Sequence, residues 1–173
     1  ILPRGGGTSQ CGQTVGAADD AANGGSLLLS DVDRLLNKIK VKNGRADLLV
    51  MNLAVLQKWK KLHYNAGLPV RVLPDATTGK ESCYHGTVRV VVSDWIPSNE
   101  TKGAGTNLSS IYAVALGWGD GFCAAYKSTN GGKMFETERL MLAATDQHRY
   151  RVSAQVVFPL FAESAVARCN GIA

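Results

Sequence analysis

The sequence predicts an α+β fold, in which a few helices are combined with short and mostly antiparallel strands. Apolar residues recur at helical spacing from Leu28 to Ile39, whereas Val88, Val90 and Val92 alternate with other residues at the spacing of two typical of a strand. No internal repeat is visible, and strands and helices do not alternate regularly along the chain. The lack of that alternation argues against a doubly wound nucleotide-binding fold.

The first part of the chain predicts a glycine-rich segment followed by one helix. Residues 1–26 carry seven glycines and no sustained periodicity, which predicts loop, or the end of an element whose partner strand lies upstream. Ser30 followed by Asp33 resembles a capping box, so the helix is expected to run from Ser30 to Lys42. The Asn-Gly pair that follows Lys42 is expected to end it.

Two strands and a second helix are predicted next. The short apolar run from Asp47 to Met51 predicts a buried strand, and Asn52 is expected to cap a helix that extends to about His63. A further strand is predicted at residues 70–73, followed by turns at residues 75–82. The inward-facing residues of the helix are expected to be Val55, Leu56, Trp59 and Leu62.

The second half of the chain predicts strands around one polar segment. Residues 97–110 hold glycines, asparagines and hydroxyl side chains with almost no apolar residue, so we expect a mobile surface loop there. A hairpin is predicted over residues 111–127, with its turn at residues 117–121. Residues 150–158 predict the longest strand, while the composition of residues 161–167 leaves helix and strand both open.

The bulk composition is that of an ordinary globular protein. The chain has 173 residues, of which 45% are hydrophobic and 19% charged, and its formal net charge is +5. This mild excess permits contact with polyanions without requiring it, and a solvated basic surface is the simpler interpretation. No apolar stretch reaches the roughly 20 residues of a membrane span, and the first residues do not resemble a signal peptide. Because the first residue is not methionine, we expect a processed product or part of a longer chain.

The cysteine pattern argues against a metal site. Cys11, Cys83, Cys123 and Cys169 form no CxxC motif, which argues against zinc-ribbon and thioredoxin-like sites. Cys83 and His85 form a C-x-H pair, but a single pair with scattered partners is weak support for a ligand set. Without a secretion signal, we predict unpaired thiols and no metal.

The sequence shows no arrangement typical of catalysis. The glycine-rich pieces lack the Lys-Ser/Thr pair of a phosphate-binding loop. Ser93 and Cys123 fall within predicted strands, and the histidines carry no triad-like local signature. Asp94 is expected to cap the exit of a strand and Trp95 to cover the core. We therefore predict no catalytic residue, no cofactor and no enzymatic activity.

An ordered set of segments resembles the major capsid proteins of tailed phages. The segments are DLLVMN with its helix, YHGTVRVVVSDWIPSN, SSIYAVALGWGDGF and RVSAQVVFPLFAESAVARCNGI, and the resemblance spans most of the chain from about Gly25 to Ala173. That family has the Hong Kong 97-like capsid fold. The resemblance implies a spine helix with a peripheral sheet, plus an axial domain near the symmetry axes.

The resemblance also implies domain boundaries. The spine helix would be Ser30 to Lys42, and Tyr150 to Phe158 would belong to the long peripheral sheet. Family members carry an N-terminal arm and an extended loop upstream of the spine helix, which we expect to be missing, cleaved or unrecorded here. The implied ranges are an upstream segment at 1–26, a peripheral domain at 27–46 and 136–158, and an axial domain at 47–135 and 159–173.

By this resemblance, the chain would be the major capsid protein of a tailed bacteriophage or prophage. It would assemble in the host cytoplasm, through pentamers and hexamers, into the icosahedral head of a virion that encloses double-stranded DNA. The expected partners are further copies of the chain, scaffold or portal proteins, and packaged DNA in weak non-specific contact; no membrane is expected. The lysines at positions 58, 60 and 61 could make such phosphate contacts, although a solvated helix face explains them equally well.

Subunit contacts are expected on the polar loop and on the glycine-rich turn that follows. Two alternatives to the phage head remain open. One is an encapsulin-like nanocompartment shell that encloses protein cargo, and the other is a small α+β enzyme with its site on the loop at 97–110. The candidate interface residues are Asn99, Lys102, Asn107, Trp118 and Asp120.

Overall fold

The chain divides into two compact units. The structure is a computed structural model, and it describes residues 14–16, 22–74, 79, 81–127, 135–141 and 148–173. Residues Cys123–Pro159 form unit 2, and the remainder of the chain forms unit 1. Within the described residues, unit 1 holds both α-helices and the main sheet, whereas unit 2 holds two small two-stranded sheets.

Helix α1 spans Leu29–Leu36 and is shorter than predicted. The carboxylate of Asp31 accepts the backbone N–H of Leu28 at 3.0 Å, so the expected capping role of Ser30 and Asp33 is wrong. The helix ends early because the chain turns away from it. The backbone N–H of Lys40 donates to the carbonyl of Ser164 at 3.1 Å.

Helix α2 spans Leu53–Asn65 and follows the prediction closely. The side chain of Asn52 accepts the N–H of Val55 at 2.8 Å, which confirms the predicted cap. Val55, Leu56 and Trp59 are buried, as their spacing indicated. Two short 3-10 turns, Lys42–Gly44 and Glu163–Ala165, complete the helical elements of the described residues.

Twelve strands are formed by the described residues. They are β1 Thr14–Gly16, β2 Leu48–Met51, β3 Arg71–Pro74, β4 Glu81–His85, β5 Val88–Val92, β6 Glu100–Lys102, β7 Gly105–Val114, β8 Ala125–Tyr126, β9 Glu136–Met141, β10 His148–Ser153, β11 Val156–Val157 and β12 Val166–Ile172.

The main sheet of unit 1 has the strand order β1-β12-β7-β2-β5-β4-β3, and β6 pairs with β7 outside this path. Most pairings are antiparallel, as predicted, but β1–β12 and β2–β5 are parallel. The connection from β2 to β5 contains α2 and the β3–β4 pair, so the chain includes one crossover that the sequence analysis did not anticipate. β1 lies in the segment predicted as loop, and its partner is the last strand of the chain.

Both faces of this sheet bury apolar side chains. Alternate residues of β2, β7 and β12 point to the two faces, which places a large core under the helices and a small one on the opposite face. The large core includes Val32, Leu35, Leu49, Met51, Val55, Trp59, Ile111, Ala113 and Cys169. The small core is formed by Ile96, Tyr112, Val114 and Val166, with Leu48, Val50 and Phe122 packed against it.

Helix α1 lies in unit 1. Val32 and Leu35 pack in the same core as Leu49 and Trp59, so residues 27–46 belong to unit 1 together with most of the range assigned to the axial domain. Unit 2 begins at Cys123 and ends at Pro159. Whether the names peripheral and axial apply to these units stays a prediction.

The polar segment at 97–110 is a β-hairpin and not the expected loop. It contains β6 and the first half of β7, and Leu108, Ser109 and Ser110 are buried. Polar residues can be buried when their hydrogen bonds are satisfied, and here the partners lie far away in the sequence. The prediction that this segment could not contribute to the core is therefore wrong for residues 108–110.

The predicted hairpin over residues 111–127 forms only at its turn. The N–H of Phe122 donates to the carbonyl of Ala115 at 2.9 Å, and the N–H of Gly117 donates to the carbonyl of Phe122 at 3.2 Å. β8 then pairs with β11 inside unit 2 and not with β7. The long strand predicted at 150–158 is likewise divided into β10 and β11, which pair with different strands.

Candidate subunit interface

The five candidate interface residues fall into two groups on unit 1. Asn99, Lys102 and Asn107 lie on the β6–β7 hairpin, whereas Trp118 and Asp120 lie in the turn after β7. β7 has ten residues, which corresponds to a length of about 30 Å at ~3.3 Å per residue. The structure therefore places the two groups at opposite ends of one strand and does not bring them together.

On the hairpin, Asn99 and Asn107 are exposed, whereas Lys102 is half-buried. Asn107 has a positive φ of 58°, a conformation that asparagine tolerates better than most residues. The side chain of Lys102 lies against Gly171, where a Cβ atom would approach its Cδ to 2.7 Å. Lys102 is thus partly used for packing within the subunit, and the two asparagines are the more available contacts.

The hairpin is tied to β12 by a partly buried charged network. A guanidinium nitrogen of Arg168 lies 2.8 Å from a carboxylate oxygen of Glu100, and the side chains expose only 13% and 11% of their surfaces. Nε of Arg168 also donates to the hydroxyl of Ser110 at 3.1 Å, and that hydroxyl donates to Glu100. The guanidinium stands 5.8 Å above the ring centroid of Tyr112. These contacts explain why a polar hairpin is held in one place.

A second set of hydrogen bonds joins the base of the hairpin to α2. The amide of Asn52 donates to the hydroxyl of Ser109 at 2.8 Å, and that hydroxyl donates to the carbonyl of Pro97 at 2.9 Å. The same Asn52 caps α2, so one residue connects the start of the helix with the hairpin.

The chain before α1 covers the tip of the hairpin. The side chain of Asn23 accepts the N–H of Ala104 at 2.9 Å. The backbone of Asn23 lies so close to Gly105 that a Cβ atom on Gly105 would collide with its carbonyl oxygen. The hairpin is therefore packed on at least two sides within the subunit.

The turn after β7 presents an aromatic side chain. Trp118 is 76% exposed, and its ring stands edge-on to that of Phe161 with centroids 5.5 Å apart. Asp120 is exposed as well. The carboxylate of Asp47 accepts both the N–H of Leu116 at 2.7 Å and the ammonium of Lys42 at 3.1 Å, which fixes the start of the turn.

Trp95 is a candidate that the sequence analysis missed. It was expected to cover the core, but it is 94% exposed, and its neighbour Ile96 is buried in the small core instead. A large aromatic side chain that is almost fully exposed in a subunit is a common anchor of protein interfaces. The sequence did contain a signal that one of the two side chains is exposed. Trp95 and Ile96 are neighbouring apolar residues after a strand, and only one of such a pair can point inward.

Unit 2 is apolar on its surface. None of the side chains that are described in Cys123–Pro159 is buried, although many are large and apolar. Two-stranded sheets are marginally stable in water when nothing covers them. The exposed apolar residues of unit 2 are Tyr126, Phe135, Tyr150, Val152, Val156, Val157 and Phe158.

The buried hydroxyl groups of the hairpin have protein partners within the described residues. Ser109 and Ser110 are bonded to Asn52, Pro97, Glu100 and Arg168, and no histidine is among these partners. No group of three or more Cys, His, Asp or Glu within the described ranges could hold a metal ion. Cysteines 83, 123 and 169 are free thiols, whereas Cys11 lies outside the described residues. None of the described helices is long and apolar enough to cross a bilayer.

Comparisons with known proteins identify the fold. Neither the models of known protein families nor the curated proteins gave a match. Among solved structures, a chain of the cryo-EM structure of the holo-SrpI encapsulin complex from Synechococcus elongatus PCC 7942 is similar, with a TM-score of 0.73 and 16% sequence identity. The match covers 93% of this chain and 53% of that chain, so the present chain spans about half the length of the encapsulin chain. The protein thus has a mixed α and β fold of the capsid-like kind that forms encapsulin shells.

Proposed function

We propose that this chain is a structural subunit of a self-assembling protein shell, of the encapsulin kind. The observation that carries the proposal is the fold similarity to an encapsulin chain, which extends over 93% of this chain. The exposed Trp95 and the apolar side chains exposed on unit 2 support it, because large exposed apolar patches mark sites of contact with another molecule. Further copies of the chain are the partner that a shell requires.

The subunit would act by repeated contact and not by catalysis. Asn99 and Asn107 at one end of β7, and Trp118 and Asp120 at the other, are proposed as contacts with different neighbours. A closed shell needs several distinct surfaces on each subunit, since one self-complementary patch gives only a dimer. Unit 2 supplies a further surface, which is rich in aromatic and β-branched residues.

A tailed-phage head is the second candidate. It is favoured by the ordered sequence segments, above all YHGTVRVVVSDWIPSN followed by SSIYAVALGWGDGF, and not by the fold similarity. In that case the shell would enclose double-stranded DNA and use portal and scaffold proteins, whereas a compartment of the encapsulin kind would enclose protein. Both candidates predict shell particles assembled in the cytoplasm, and they differ in what the particles contain.

Electron microscopy and size-exclusion chromatography of the complete gene product test the proposal. We expect closed particles or their ring-shaped building blocks, which elute far ahead of the 18.4 kDa expected for this chain alone. Nuclease-protected DNA inside the particles would assign the phage head, and a co-purifying protein released on disassembly would assign the compartment. A monomer at every concentration and salt condition would contradict both, and would restore the alternative of a small enzyme.

A further inference from the structure

Three aromatic rings meet where α2 packs on β4. Trp59 and His63 lie one helical turn apart on α2, with ring centroids 4.4 Å from each other. The ring of His85 on β4 lies 5.9 Å from Trp59 and 5.5 Å from His63. All three pairs meet edge-on. His63 is only 8% exposed and Trp59 is fully buried, so both rings lie inside unit 1.

This cluster contains buried nitrogen atoms without a hydrogen bond. Within the described residues, no protein partner reaches Nε1 of Trp59, either ring nitrogen of His63 or Nδ1 of His85. Buried polar atoms are normally paired, because an unpaired one has lost its water without compensation. The unpaired nitrogens of His63 therefore carry a desolvation cost in the folded protein.

One of the two histidines has a counter-ion and the other has none. Nε2 of His85 lies 3.2 Å from the carboxylate of Asp33 on α1, so a proton on His85 would be matched by a negative charge. A proton on His63 would have no acceptor at either nitrogen, and it would lie beside the ring of His85. The described residues thus provide a counter-charge beside His85 and none in hydrogen-bond contact with His63.

The electrostatic surroundings of His63 agree with this geometry. Burial first, and then the neighbouring His85 on β4, lower the pKa of His63 below its usual value of 6.5, whereas Asp33 on α1 acts in the opposite direction. Its contact on its own helix, Trp59, carries no charge. The folded protein therefore binds this proton less readily than the unfolded chain does.

We propose that Trp59, His63 and His85 form an acid-sensitive latch that holds the C-terminal half of α2 against β4. At neutral pH the latch is closed by ring packing. When a proton enters the cluster on His63, a buried charge without a hydrogen-bond acceptor appears beside the ring of His85, and the end of α2 loosens. The latch concerns the stability of unit 1, and it does not depend on the proposed shell function.

The sign of the pH dependence follows from the direction of the shift. Because the pKa of His63 is lower in the folded state, the stability it contributes is complete above the unfolded pKa of about 6.5. It decreases as the pH falls below that value, and the loss levels off once the folded protein is protonated too. Carboxylates titrate near pH 4, so a measurement between about pH 7.5 and pH 5 separates the histidines from them.

Urea unfolding of the chain at several pH values in this window tests the proposal. We expect the urea midpoint of the wild type to fall with acidification, and that of His63→Phe to fall clearly less, because phenylalanine keeps the contact with Trp59 and cannot be protonated. His148→Gln is the matched control, since it removes the histidine of unit 2 and should leave the loss unchanged. Asp33→Asn should make the acid loss larger, because it removes the one group that favours the charged ring.

A second measurement on the wild type covers the case in which His63→Phe does not fold. NMR titration of the histidine ring protons should show one resonance, assigned to His63, that titrates below 6.5 and broadens together with the amides of the last turn of α2. An unchanged urea midpoint in the wild type over the window would overturn the proposal. So would an acid loss that His63→Phe retains in full or that His148→Gln removes.

Discussion

The network that joins the β6–β7 hairpin to β12 gives a quantitative prediction. Arg168→Met removes the guanidinium but keeps an apolar stem, and it leaves the carboxylate of Glu100 and the hydroxyl of Ser110 without their shared donor. Breaking a buried ion pair by removing one partner costs about 3–5 kcal/mol. Because the two side chains keep 13% and 11% of their surface exposed, we expect the lower end of that range, about 3 kcal/mol.

Urea unfolding followed by tryptophan fluorescence is a suitable assay, since Trp59 is fully buried and changes its surroundings when unit 1 unfolds. Glu100→Gln should cost a similar amount as Arg168→Met. The double variant should cost less than the sum of the two by roughly 2 kcal/mol, because its second substitution removes a group that is already unpaired. Lys42→Met is the control, as it breaks the more exposed pair with Asp47, for which we expect at most about 1 kcal/mol.

Two outcomes would refute this reasoning. The first is a loss for Arg168→Met that is no larger than that for Lys42→Met, and the second is strict additivity in the double variant. If the network holds the hairpin as described, shortening residues 97–110 destabilises the isolated chain. Shortening a mobile surface loop, as the composition predicted for this segment, would have left the stability of the chain nearly unchanged.

Substitutions at three further positions test other contacts. Trp95→Ala should change the free energy of unfolding of the isolated chain by less than about 0.5 kcal/mol and reduce the yield of particles in electron microscopy. A larger loss of unfolding free energy would mean that the ring is covered within the subunit. Asn52→Ala should lower the free energy of unfolding by about 1–2 kcal/mol through loss of the helix cap. Asn52→Asp should lower it less, because it keeps the acceptor for the N–H of Val55. Equal losses for the two variants would show that the contact with Ser109 matters instead. Gly105→Ala should lower the thermal midpoint, at a cost of roughly 1–3 kcal/mol, because the new methyl group collides with the carbonyl of Asn23; an unchanged midpoint would show that this segment does not cover the hairpin.

The elements that the sequence predicted well are those whose local signals agree with their packing. Asn52 is followed by a run of helix formers with apolar residues on one face, and Val88 and Val90 alternate toward the large core. For these elements the start signal, the periodicity and the buried face all indicate the same structure. The α+β class therefore followed from short windows of sequence alone.

The hairpin was not predictable in this way, because its polar residues are satisfied by distant partners. Ser110 and Glu100 are bonded to Arg168, which lies 58 and 68 residues away in the sequence. Composition alone indicates a loop, since the guanidinium that completes this network lies outside the segment. Only the pairing of β12 with β7 brings the guanidinium to them.

At the candidate interface, the direction of single side chains was also only partly predictable from the sequence. Asn99, Asn107, Trp118 and Asp120 were expected at the surface from their turn-rich context, and they are exposed. Trp95 was expected to point inward, because its direction depends on how the backbone turns after β5, and composition carries no information on that.

The length of β7 has a consequence for the curvature of any assembly. The strand is paired over most of its length, with β6 near its start, with β12 from Ser109 to Val114 and with β2 from Tyr112 to Val114, so it behaves as a stiff lever with a contact group at each end. Over a lever of about 30 Å, a tilt of about 5° at one end displaces the other by roughly 2–3 Å, which is comparable to the length of a hydrogen bond. A neighbouring subunit bound to the hairpin would therefore determine the position at which the turn with Trp118 contacts the next subunit. Shell diameter would then respond to substitutions along the strand that touch neither contact.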